Sequence, residues 1–98
     1  MNIRVTNKAK EQLLQNKENI IVRIKGGIGN TCTVYVNIDL IVDEYSANDV
    51  VFEDEQIAIQ MDEFTKDYIG NEMMLDYKTG FKITTPNETI VYGLSLKK

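Results

Sequence analysis

At 98 residues the chain is long enough for one domain that buries roughly two-thirds of the surface its unfolded form would expose, so it can build a core without disulfide staples. Eleven basic against fifteen acidic residues leave a net charge of -4, and the cations are scattered from Arg4 to Lys98 rather than gathered, which disfavours nucleic acid as a partner. No apolar run approaches the roughly 18 to 20 residues that span a bilayer, and the N-terminus lacks a signal segment, so the expectation is a soluble, cytoplasmic protein with no membrane contact.

Ile3 to Val5 predicts a short strand, and Thr6 an N-cap for a helix over Asn7 to Gln15, with Ala9, Leu13 and Leu14 on one face. Ile20 to Lys25 alternates as a strand, with Ile20, Val22 and Ile24 inward and Arg23 and Lys25 outward. A glycine-rich connection, Gly26 to Thr31, follows. It delivers Cys32 to the head of the longest strand-like run, in which Cys32, Val34, Val36, Ile38, Leu40 and Val42 share a face.

After an acidic connection over Asp43 to Asp49, Val50 to Glu53 and Gln56 to Met61 predict a hairpin turning at Asp54-Glu55. Asp62 is a second N-cap, opening a short helix that Gly70 closes, with Phe64 and Tyr68 four apart and packing down together. Glu72 to Lys78 and Phe81 to Thr85 flank Thr79-Gly80 as another hairpin, Pro86 ends that strand, and Thr89 to Leu96 forms the last one. The sum is a mainly β, α+β chain of about eight short strands and two flanking helices, a sandwich or partly closed barrel rather than a doubly wound parallel sheet.

Histidine is absent, which removes the commonest general base, Cys/His and Ser/His nucleophile pairs and every histidine-containing metal site. The carboxylates Asp43-Glu44 and Glu53-Asp54-Glu55 fall in expected turns, where charge reads as solvated surface rather than as an acid/base pair. The glycine segment could present N–H groups to an anion, but it lacks the lysine and following helix of a phosphate loop, and a plain strand connection is the simpler reading. Cys32 is the only cysteine, so no internal disulfide forms, and its parity with Val34 and Val36 suits a small core hydrophobe. A nucleophilic Cys32 would need an activating neighbour that the sequence does not supply. Asn87-Glu88-Thr89 matches a glycosylation pattern only by chance in a chain that is not secreted.

Several segments in order resemble the HesB-like, or A-type iron–sulfur carrier, family: VTNKAKEQLL, IIVRIKGG, CTVYVNIDLIVDEY with its closing Val42-Asp43-Glu44, VVFEDEQIAIQMD, the MMLDYK strand after Gly70-Asn71, and GFKITTPN. The resemblance implies a single HesB-like domain over residues 1–98, a β-sandwich or pseudo-barrel that is not an enzyme. It also implies iron or an iron–sulfur cluster as the cofactor, and iron–sulfur assembly or recipient proteins, together with a second copy in a homodimer, as partners. The family carries one cysteine at the head of the long strand and a Cys-x-Cys pair near the C-terminus. Cys32 matches the first position and is the metal-ligating candidate, whereas the segment after Pro86-Asn87 reads ETIVYGLSLKK and has no pair. The chain thus resembles a divergent short branch. Two readings stay open: iron or cluster handling through Cys32, and a metal-free interaction module that keeps the fold.

Overall fold

A computed structural model of the chain describes residues 1–28 and 36–97. In order the elements are β1 (Asn2–Val5), α1 (Asn7–Leu14), β2 (Ile20–Ile28), β3 (Val36–Val42), a 3₁₀ turn (Ala47–Asp49), β4 (Val50–Glu53), β5 (Ile57–Gln60), α2 (Glu63–Ile69), β6 (Glu72–Tyr77), β7 (Phe81–Thr84), β8 (Thr89–Leu94) and β9 (Leu96–Lys97). They form two mixed sheets, β1-β6-β7-β8 and β4-β5-β2-β3-β9, which face each other without closing into a barrel.

Both helices begin where side-chain oxygens meet otherwise orphaned N–H groups. Thr6 Oγ1 accepts from the Ala9 amide at 3.2 Å and donates to Asp76 Oδ1 at 2.7 Å, which ties the start of α1 to β6. Asp62 Oδ1 accepts from both the amide and the hydroxyl of Thr65, at 2.9 and 2.7 Å.

The inward rows of both sheets meet in one core. Val22, Ile24, Leu40, Ile57 and Ile59 from one sheet pack with Met73, Leu75, Phe81 and Ile83 from the other, and Ala9, Leu13 and Leu14 of α1 and Ile69 of α2 close the ends. The alternation expected along β2 and β3 is therefore present, whereas all four residues of β5 are buried. Burial of such rows is the main favourable term in folding, at about 25 cal/mol per Å² of apolar surface.

Four features depart from the sequence expectation. Gly26 and Gly27 are not in a connection but in β2, paired with Ile38 and Asn37 of β3. The reason is packing: a Cβ on Gly26 would stand 3.1 Å from Thr65 Oγ1 and 3.4 Å from Phe64 Cε2, so glycine lets α2 approach the strand. In α2 the buried pair is Thr65 and Ile69, while Phe64 and Tyr68 remain 40% and 44% exposed. The Phe64 ring lies over Gly26 of β2.

The expected last strand is two strands, which brings the described count to nine. Gly93, at φ 73°, bends the chain so that β8 stays beside β7 while β9 crosses to lie parallel to β3, with Leu40 opposite Leu96. Finally, Gln60 sits in a row expected to face solvent yet is fully buried, because the 43–49 connection folds back over it.

Candidate functional site

β2 and β3 form an antiparallel ladder from Val22 opposite Val42 to Ile28 opposite Val36. Residues 29–35, which join Ile28 to Val36, carry Cys32 and the expected strand head at Cys32 to Tyr35, and they lie outside the described residues. What the structure does give is the frame on which this segment is mounted.

One end of the frame is the Gly26 contact. The Gly26 amide donates to Thr65 Oγ1 at 2.9 Å, and the same hydroxyl donates to Asp62, so a fully buried threonine links β2 to the α2 cap with no polar group left over. The Thr65 hydroxyl bond holds the Asp62 carboxyl below the usual carboxylate range, with the Thr65 amide acting in the same direction.

The other end is the Val42-Asp43-Glu44 corner. Arg23 Nε donates to Asp43 Oδ2, and Arg23 Nη2 donates to Asp49 Oδ2 at 2.9 Å. Gln60 completes the cluster: its Nε2 donates to Asp43 Oδ2 at 3.1 Å and to the Glu44 carbonyl at 3.0 Å, and its Oε1 accepts from the Ser46 amide. The Arg23 guanidinium holds the Asp43 carboxyl below its ordinary range, and Asp43 in turn raises the Arg23 pKa. Asp43 is thus an ion-paired anchor of the corner after β3, not the freely solvated charge that its place in the sequence suggested. Committed to Arg23 and Gln60, it is a poor proton acceptor near neutral pH.

Other expected site features fall apart in space or stay on the surface. Glu53, Asp54 and Glu55 lie at the β4–β5 turn, where Asp54 Oδ1 accepts from the Gln56 and Ile57 amides at 2.8 Å and Oδ2 pairs with Lys10 at 3.0 Å. Among the described residues, no three or more aspartates, glutamates, cysteines or histidines converge as a metal site. Cys32 is the one thiol in the sequence. The buried Gln60 and the Gly26–Thr65 contact escaped sequence reasoning.

No helix of the described residues is long and apolar enough to cross a membrane. A family described as iron-sulphur cluster biosynthesis matches residues 1–98. No curated protein sequence matches the chain. Its fold is similar to that of a candidate Fe-S biosynthesis protein from Lactobacillus acidophilus, with a TM-score of 0.66 and 15% identity over 99% of this chain and 89% of that one. A second candidate Fe-S biosynthesis protein, from Lactobacillus salivarius, aligns with a TM-score of 0.68 and 19% identity over 99% and 97%. A protein from Aquifex aeolicus solved in solution is 30% identical, with a TM-score of 0.56 over 86% of this chain and 91% of that one.

Proposed function

The chain belongs to the iron–sulfur cluster biosynthesis family, and from that premise we propose that it handles iron or an iron–sulfur cluster during cluster biogenesis, with Cys32 as its thiolate ligand and without catalysing a reaction of its own. The observation that supports this reading is the family match across residues 1–98, joined to the single cysteine in the 29–35 segment between β2 and β3. Clusters are ordinarily held by four thiolates, so one cysteine per chain makes any bound unit shared. The remaining ligands come from a second copy of the chain, from an assembly or recipient protein, or from a small thiol. Such a shared, incompletely ligated unit suits transfer better than storage. A thiolate ligand also needs a reducing compartment, which agrees with the cytoplasm.

Anaerobic reconstitution with ferrous iron and sulfide, followed by visible absorption and iron analysis, tests this. Wild type gains a thiolate-to-iron charge-transfer band that Cys32→Ala lacks. Equal, colourless and iron-free products from both chains would refute it.

The second reading is a metal-free interaction module, favoured by the one observation that the segment after Pro86-Asn87 reads ETIVYGLSLKK, without the family's Cys-x-Cys pair. Thiol labelling of the native protein separates the two. Rapid modification of Cys32 fits a ligand open to cargo, and protection until unfolding fits the module.

A further inference from the structure

β8 is the terminal strand of its sheet, and among the described residues no strand is hydrogen-bonded to its other side. Exposed edges are ordinarily guarded by charged side chains or proline, because their unpaired N–H and C=O groups accept any passing strand. Thr89 to Leu94 contains neither, and only the register shifts on either side of its Ile83–Val91 pair interrupt the strand. Tyr92 is 77% exposed, while Ile90 and Val91, the latter opposite Ile83, are half-buried against the core.

Beside this edge runs an open groove of about 520 Å³, lined by Lys78, Gly80, Lys82, Ile90, Tyr92 and Gly93 among others, with no carboxylate in its lining. On a chain of net charge -4 this is a local reversal of sign. Neither lysine forms an ion pair among the described residues. Asp76, the cross-strand neighbour of Lys82, feels the lysine charge without pairing with it: its Oδ1 accepts from the Thr6 hydroxyl and the Tyr77 amide.

We propose that β8 and the Lys78/Lys82 groove form a docking edge for an extended acidic segment of a partner protein, which adds to the sheet as a fifth strand. Main-chain hydrogen bonds to β8 supply affinity, the two lysines select negative side chains, and Tyr92 covers an apolar residue of the alternate row. Through Gly93 and Ser95 the same strand leads into β9 and so to β3, which continues from the Cys32 segment. The docking edge stands whether or not Cys32 carries metal.

The probe is a fluorescein-labelled peptide of about eight residues alternating valine and glutamate, with a valine–lysine peptide as control. Fluorescence polarisation should show the acidic peptide binding about tenfold or more tightly than the control, and Lys78→Glu with Lys82→Glu should lose a comparable factor. Amide shifts in an NMR titration should centre on Thr89 to Tyr92, and Tyr92→Ser, at an exposed position, should weaken binding without altering the far-UV spectrum. Equal affinity for both peptides, indifference to the charge reversal, or shifts centred on β4 would overturn the proposal. So would the same shifts produced by succinate at equal concentration, which would mark a small-anion site. Self-association abolished by Tyr92→Ser would likewise overturn it, by assigning the edge to a second copy.

Discussion

Replacing Gln60 by leucine removes the buried amide that holds the 43–49 connection against the sheet. Three hydrogen bonds disappear: one to the Asp43 carboxylate, one to the Glu44 carbonyl and one from the Ser46 amide. Neutral bonds contribute about 1 kcal/mol each and one to a charged group about 1.5–3 kcal/mol, so the gross loss is about 3–5 kcal/mol. Asp43 keeps Arg23, and with a side chain 28% exposed it can recruit water, as the corner backbone can in part. The net destabilisation is therefore about 2–3 kcal/mol, or roughly 8–24 °C in Tm for a domain of this size. With no tryptophan and five tyrosines, urea and thermal unfolding followed by far-UV circular dichroism is the suitable assay. A Gln60→Leu protein within about 0.5 kcal/mol of wild type would show that water replaces the amide and that the cluster does not hold the corner. Gln60→Glu sharpens the test, since at neutral pH it places a second carboxylate beside Asp43 and should cost at least as much.

Gly80→Ala should destabilise by about 1–3 kcal/mol in the same urea assay, because its Cβ would meet the Gly93 Cα at 2.7 Å and backbone cannot step aside as a side chain can. Thr6→Ala loses both the α1 cap and the bond to Asp76, an expected loss of about 1–2 kcal/mol, while Thr6→Ser should restore most of it. Acid should weaken the fold: Asp43, Asp62 and Asp76 are held below the ordinary carboxylate range, chiefly by the Arg23 guanidinium and by the Thr65 and Thr6 hydroxyls respectively. Between the folded and unfolded values the unfolded chain binds more protons, so this stability is complete above about pH 4 and drains away as pH falls through the folded values. The urea midpoint should drop between about pH 7 and pH 3, and less so in Asp62→Asn; a midpoint independent of pH would contradict these pairings.

Local chemistry in the sequence was a good guide wherever structure is decided locally. Thr6 and Asp62 announce their helices because few residue types can satisfy orphan amides, and the rows of β2 and β3 follow from period-two burial. Non-local pairing left no such mark. That β1 lies parallel to β6, β2 to β5 and β9 to β3 depends on crossovers, not on any neighbouring residues. The misplacement of Gly26 and Gly27 has the same root: glycine signals a loop until α2, nearly forty residues on, is known to press Thr65 against it. Phe64 and Tyr68 misled through their size, since the close approach at Gly26 gives the buried face of α2 to the smaller Thr65 together with Ile69. Of the candidate site, the cysteine was legible as a position and the polar cluster at Asp43 was not, because Gln60 looks outward until the connection covers it.

The passage of the last strand from one sheet to the other also governs how the molecule comes apart. The other crossings between the sheets, through α1 and α2, have helices to yield in; this one has Ser95 alone between β8 and β9. Loosening β8 therefore pulls on β9 and its neighbour β3 before either sheet can separate on its own. The sheets should melt as a single cooperative unit, and slow-exchanging amides such as those of Leu40 and Leu75, one in each sheet, should report the same opening free energy.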